Sequence, residues 1–384
     1  MNYSLASSSW NKKEISAIHE VIKSDRYTMG KNASLFEKMF KNFHNKKYGL
    51  MVNSGSSANL LMVAALRYFS KKKIKPGDEV IVPAVSWSTT YFPLQQYGIK
   101  LVFVDISIDT FNIDPKKIER AITKKTKAIF AVNLYGNPCD FEEITKICKK
   151  NKLILLEDNC ESLGAKYKKK MTGTFGLMSS FSFFFSHHIS TMEGGMILTD
   201  NKELYQILLC LRSHGWTRSL PRKNLISKKK SKDIFYDLFN FVLPGYNVRP
   251  LEMSAAIGLE QLKKLNKIIK ARRKNAVYFK KKISKLKNLK IQIENNFSSW
   301  FSFGIIYNGS RKKLLKKLIS KKIEYRPIVA GNFTKNIAIK YFNYRISGKL
   351  KNADIVHNKG ISFGNSHLYL KKEIDLLEKV FKQI

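Results

Sequence analysis

Acidic residues are scarce in this chain of 384 residues: 29 Asp and Glu stand against 70 Lys and Arg, a formal charge of +41 with a pI near 10.0. Cysteine is scarcer still, with four in all, Cys139, Cys148, Cys160 and Cys210. No pair has Cys-x-x-Cys spacing, which argues against a zinc or redox motif, and no metal site is expected. The four are expected as reduced, partly buried thiols of a cytoplasmic protein. A membrane-spanning helix needs ~20 uninterrupted apolar residues, and the longest candidate, FYDLFNFVLPGYNV, is broken by Asp, Asn and Pro. The opening MNYSLASSSWNKKEIS has no apolar signal-peptide run. A soluble protein with no membrane partner is expected.

The excess of lysine raises the idea of a nucleic-acid surface, since Lys neutralises phosphates and releases counterions. The lysines lie in short clusters along the whole chain, at residues 71–73, 168–170, 228–230 and 280–282, with no single stripe. Compositional bias explains them more simply in a chain that is also rich in Ile and Asn, so no nucleic-acid partner is expected. A positive surface still favours encounter with an anionic nucleotide diphosphate.

At 44% hydrophobic content the chain can bury a large core divided among two or more domains. Helices are expected at 11–24 and 33–43, the second capped near Asn32. Alternation follows, with strands at 48–52, 79–82, 101–104, 128–132 and 153–156 and helices at 58–68, 115–122 and 141–150. Apolar β-branched strands separated by helices imply an α/β fold with a mainly parallel central sheet covered on both faces. Asn53, Asp105, Asn133 and Asp158 end these strands, where ligands bind in such sheets. After Pro250 a long amphipathic helix, 252–283, leads to a smaller C-terminal α+β domain. The division is expected as 1–248 and 249–384, with a mobile basic loop at 222–232.

Three segments carry chemistry. NSGSSAN, residues 53–59, is a strand end running into a helix start, where N–H groups and hydroxyls make a phosphate cradle, though Ser-rich helix caps are common. LILLEDNCESLGA, residues 153–165, delivers Glu157 and Asp158 to a buried strand end, where a carboxylate needs a cationic partner unless it merely caps the next helix. SSFSFFFSHHISTMEGGMILTD, residues 179–200, sets His187 and His188 before a Glu-Gly-Gly. With no third ligand at metal-like spacing, they read as core or acid/base histidines.

Taken together, from PAVSW through EDNCESLGA and EGG to GYNVRPLEMSAAIGLEQL, these motifs resemble the fold-type I PLP enzymes, specifically the DegT/DnrJ/StrS sugar aminotransferase family. In that family a lysine stands six residues before the Glu of the EGG motif, and six before Glu193 is His187. Histidine cannot form the covalent link to PLP, but it can move protons near neutral pH. SHHISTMEGG therefore resembles the family's 3-dehydratase branch, which removes the C3 hydroxyl of a 4-keto-6-deoxy sugar nucleotide.

The resemblance implies a PLP/PMP cofactor with Gly55, Ser56 and Ser182 on its phosphate and Asn247 reaching it from a neighbouring subunit, hence a homodimer with shared active sites. It further implies Asp158 at the pyridine nitrogen, Glu161 at the ring hydroxyl, Trp87 on the ring face and His187 as the proton-transfer residue. His214, Arg218, Arg249 and Arg326 are candidates for the substrate diphosphate or for the carboxylate of L-glutamate, the expected amino donor; surface or interface ion pairing is their ordinary alternative. His188 is expected to turn away. RPIVAGNF, residues 326–333, also resembles the 3-dehydratase branch, and the resemblance implies GDP-4-keto-6-deoxy-D-mannose as substrate. Residues 213–247 contain no cysteine, so no iron–sulfur reductase is expected. A nucleotide-sugar aminotransferase and a non-catalytic basic binding protein are the competing readings.

Overall fold

The computed structural model describes residues 2–230 and 233–384. Thirteen strands are named in chain order: β1 (Tyr48–Val52), β2 (Glu79–Pro83), β3 (Lys100–Val104), β4 (Thr126–Val132), β5 (Ile154–Asp158), β6 (Lys166–Tyr167), β7 (Lys170–Met171), β8 (Met178–Ser182), β9 (Gly195–Thr199), β10 (Leu289–Ile291), β11 (Ser302–Tyr307), β12 (Tyr344–Ile346) and β13 (Gly360–Gly364). The helices are α1 (Lys12–Lys23), α2 (Lys31–Phe43), α3 (Gly55–Tyr68), α4 (Ser88–Gln96), α5 (Pro115–Ala121), α6 (Phe141–Lys150), α7 (Lys202–Arg212), α8 (Ile234–Asp237), α9 (Glu252–Ile283), α10 (Arg311–Ser320), α11 (Lys351–Lys359) and α12 (Lys371–Lys382).

Side chains of a strand alternate between faces, and here both faces are buried. Val80, Val82, Leu101, Phe103, Phe130 and Leu156 enter one core with α3, α4 and α7, while Ile81, Val102, Val104, Ile129 and Leu155 enter a second core with α5 and α6. The resulting sheet of eight strands runs β1-β9-β8-β5-β4-β2-β3-β12. Every pairing is parallel except those that β9 makes with β1 and β8. The C-terminal ends of β1, β8, β5, β4 and β2 thus share one edge, and β9 begins there. This is the expected α/β architecture with a mainly parallel central sheet.

α9, roughly 48 Å long at 1.5 Å per residue, joins the cores. Ala255, Leu259, Leu265 and Ile269 pack on α2 and the outer face of β8 and β9, whereas Ala276, Phe279 and Ile283 enter the core of the three-stranded β10-β11-β13 sheet. The chain does not stay with that small sheet. Ile328, Phe333, Leu350 and Val356 return to the large core, and β12 extends the large sheet beside β3. A cut at 248/249 therefore follows the chain and not the packing.

The expected cap at Asn32 is corrected. α2 begins after Gly30, which makes no side-chain cap, and Glu252 at the start of α9 accepts hydrogen bonds from the N–H groups of Gly30, Asn32 and Ala33. A distant carboxylate thus satisfies the orphan donors of the first turn and complements the helix dipole. The described part of the basic loop, 222–230, is a small hairpin closed by the Lys223–Lys229 bridge. Residues 231 and 232 of the loop expected at 222–232 lie outside the described residues.

Candidate active site

β5 ends in two carboxylates that point oppositely. Glu157, in phase with Leu155, is fully buried and accepts from the N–H groups of Gly173, Phe175 and Gly176, so it secures a loop. Asp158, in phase with Leu156, faces α3 and α4. Its Oδ2 accepts from Asn59 Nδ2 at 2.8 Å and Thr90 Oγ1 at 2.9 Å, and its Oδ1 from the Cys160 N–H at 3.1 Å. It is 5% exposed, and among the described residues it makes no ion pair. Of the other strand-end residues, Asp105 caps α11 through the N–H groups of Asn352 and Ala353, and Asn133 is spent on Asn159 and Cys139. The expectation that these two face a ligand is corrected.

The helix start beside Asp158 is tightly packed. A Cβ on Gly55 would lie 2.5 Å from Ser182 Cβ and 2.9 Å from Cys160 Sγ. A Cβ on Gly195, the second glycine of the EGG motif, would lie 2.3 Å from the Ser54 carbonyl oxygen. Both glycines let β8 and β9 approach the first turn of α3, placing its N–H groups and Ser182 together. Exposed Ser56 donates to Thr89 Oγ1 at 3.0 Å, so α4 begins beside α3. Trp87 immediately precedes α4 and is 57% exposed, while the neighbouring Ser86 hydroxyl bonds Thr90. An indole so open to solvent at a helix start has a face free for a ligand.

His187 lies between β8 and β9. Its ring centroid is 5.0 Å from that of Phe301, whose own ring stacks on Tyr135 at 6.3 Å. Tyr135 sits in the left-handed region at φ 57° and donates its N–H to Glu161 Oε2 at 3.1 Å. One contact chain therefore joins His187 to Glu161, three residues beyond Asp158. Burial, and then the Arg272 guanidinium, push His187 down to about 3, so its imidazole is uncharged at neutral pH. Burial, reinforced by Asp158, pushes Glu161 up to about 8, so at neutral pH a large share keeps its proton and can donate. His188 is 1% exposed, with Nε2 3.1 Å from the Ser299 carbonyl.

His214, Arg218, Asn247 and Arg249 form a separate cluster around Trp216. The His214 ring centroid is 4.8 Å from that of Trp216, Arg218 lies 4.6 Å over the ring and Arg249 5.9 Å. Asn247 Oδ1 accepts from Arg249 Nε at 2.9 Å. The cluster reaches the cradle through the Asn53 N–H, which donates to the Val248 carbonyl. Arg326 is elsewhere, exposed and paired through its backbone with Ser362, near the Tyr135 hydroxyl. The four substrate-binding candidates, His214, Arg218, Arg249 and Arg326, thus occupy two places.

Sequence reasoning missed Asn59, Thr90, Tyr135, Trp216, Phe301 and Arg272. Tyr135 carried a local signal, its Tyr-Gly turn, and Trp216 lies two residues from both His214 and Arg218; the others act across distant segments.

The chain matches the model of the DegT/DnrJ/EryC1/StrS aminotransferase family over residues 8–380. It is 55% identical to a GDP-4-keto-6-deoxy-D-mannose 3-dehydratase of Yersinia pseudotuberculosis, covering 100% of this chain and 99% of that one. A solved GDP-4-keto-6-deoxymannose-3-dehydratase with a trapped PLP–glutamate geminal diamine superposes with a TM-score of 0.97 at 53% identity, covering 99% and 100% of the two chains. A histidine-to-asparagine form of such an enzyme with bound GDP-perosamine gives 0.97 at 54% identity, with the same coverage. With the family model matched over residues 8–380 and such relatives aligned along the full length, the chain belongs to the DegT/DnrJ/EryC1/StrS aminotransferase family.

Proposed function

We propose that this chain removes the C3 hydroxyl of GDP-4-keto-6-deoxy-D-mannose with PLP/PMP as cofactor, L-glutamate regenerating PMP and ammonia leaving. The observation that carries this reading is His187, an uncharged imidazole in a β8–β9 segment, residues 183–194, that contains no lysine. Likeness along the full chain to dehydratases of that name, one solved with PLP and glutamate joined, supports the substrate and the amino donor.

The residues fit the cofactor. Asp158 is a buried carboxylate without a cationic partner among the described residues, which suits a protonated pyridine nitrogen. Gly55 and Gly195 leave the first turn of α3 open to a phosphate, which the N–H groups, Ser56 and Ser182 would hold. Protonated Glu161 would donate to the ring hydroxyl oxygen, and Trp87 would cover the ring face. When bound, the cofactor supplies an amino group for the C4 ketone and a ring that accepts an electron pair.

The protein's part is proton transfer and positioning. His187 would take a proton from the carbon bearing that amino group and give it to the C3 oxygen as the C–O bond breaks. Arg326 on one side, with His214, Arg218 and Arg249 on the other, would hold the substrate diphosphate and the glutamate carboxylate. Ile234, Phe235, Tyr236, Phe239 and Phe241, each more than half exposed, form an apolar run next to the second cluster. We assign this run to a homodimer interface that brings Asn247 to the phosphate of the partner's site. The enzyme is placed in the cytosol, in keeping with its free cysteines.

The test supplies GDP-4-keto-6-deoxy-D-mannose, PLP and L-glutamate. Ammonia together with a 3-deoxy product is expected. A 4-amino sugar would return the chain to amino transfer, and no turnover with salt-dependent nucleic-acid binding would make it a basic binding protein.

A further inference from the structure

Arg272, on α9, is 4% exposed and has no carboxylate partner among the described residues. Its hydrogen bonds go only to backbone carbonyls: Nη1 donates to Phe301 at 2.9 Å and Asn365 at 2.7 Å, and Nη2 to His187 at 3.5 Å. Its guanidinium also lies 5.9 Å over the Phe301 ring, the ring against which His187 packs. Asn365 Nδ2 returns bonds to the carbonyls of Arg272 and Trp300. One side chain therefore ties α9, the entry to β11, the exit of β13 and the histidine loop to a single point.

A buried cation without a counter-ion is costly, and carbonyl dipoles offset only part of that cost. A carboxylate beside it would be the ordinary remedy, but would also cancel the positive field at His187. The unneutralised charge is the informative feature. Resting on the dehydratase reading, we propose that Arg272 is a positioning residue for the elimination, fixing the backbone at His187 and the Phe301 ring on which its imidazole packs. The same field makes the protonated imidazole a stronger acid, so a proton taken from carbon passes on to the departing hydroxyl. Burial and Arg272 act in the same direction on His187, and both also lower His188. The other titratable groups at this junction are His188 itself and, facing the arginine, His367.

The test uses the full-length holoenzyme carrying Arg272→Gln or Arg272→Lys. Two readouts are taken from pH 5 to 8.5: the ring ¹³C NMR signal of His187, assigned by its loss in His187→Asn, and kcat for ammonia release. In the parent enzyme the His187 signal is expected to stay flat. In Arg272→Gln burial still lowers the imidazole, so only the onset of a titration should appear at the pH 5 end, with kcat about ten-fold lower and the loss nearly equal from pH 6 to 8.5. Arg272→Lys, which keeps the charge but cannot reach all three carbonyls, should leave the signal flat and lower kcat equally at every pH. A flat signal in a folded Gln variant, or a titrating signal in the Lys variant, overturns the proposal, and should the Gln variant fail to fold the Lys variant decides alone. The NMR readout needs no turnover, so failure of the dehydratase reading would show separately as absence of 3-deoxy product from the parent enzyme.

Discussion

The cradle around Asp158 and the arm from Ser213 to Arg249 differ in how they satisfy their polar groups. In the cradle each element is held from inside the chain: Asn59, Thr90 and the Cys160 N–H fix Asp158, and Gly55 lies against Ser182 with no room for a methyl group. The arm presents arginines stacked on Trp216 and a run of rings that stay more than half exposed although Phe239 and Phe241 touch Trp216. A cradle braced by its own chain is set beside a surface that needs a ligand or a second copy. Changes in the cradle should therefore act on chemistry and cofactor retention, and changes in the arm on assembly and substrate affinity.

The largest effect should come from Asp158→Asn, which can keep much of the hydrogen bonding but loses the negative charge. Loss of an electrostatic contact in a buried site costs about 10²–10³-fold in rate, so dehydratase kcat should fall by that order with an unchanged melting temperature. A variant within five-fold of the parent would remove Asp158 from the cofactor's environment. Next is Gly55→Ala, which forces Ser182 or the helix start to move. Overpacking typically costs about 1–3 kcal/mol, and PLP affinity measured by absorbance should drop along with stability. On the arm, Phe239→Asp should convert dimer to monomer in analytical ultracentrifugation while the monomer keeps its cradle. A dimer that persists would mean that another surface holds the copies together.

The same contrast explains what could be read from the sequence. The strand that delivers Asp158 was legible because an apolar run bounded by polar residues is a local signal. Of the residues named, Gly55 and Ser182 do meet at the helix start. Hidden in the sequence were groups whose role depends on a remote segment. Glu252 caps α2 from 222 residues away at Gly30, and Phe301 meets His187 only after the small sheet folds back. Asp105 and Asn133 shared the strand-end position of Asp158, but distant backbone N–H groups claim the one and, for the other, both the Asn159 side chain and the Cys139 N–H. α4 was obscured by Pro93 inside the helix.

The smallest expected effect concerns the packing behind the cradle. His44 is 3% exposed among Phe40, Phe43 and Phe181, the last on β8 just before Ser182. Its Nδ1 bonds the Phe40 carbonyl at 3.0 Å, while Nε2 is buried without a partner. Burial pushes it down to about 4, against about 6.5 in an unfolded chain. Between those values the unfolded state binds the extra proton, so stability is full above about pH 6.5 and is lost as pH falls toward 4. His187 and His188, lowered for the same reason, add to the slope. His44→Phe keeps a ring in the cage and removes one of the five lowered histidine titrations, so the decline in urea midpoint between pH 6.5 and 4.5 should become shallower. An unaltered decline would mean that His44 is hydrated in solution and that the wall behind β8 is looser than its packing implies.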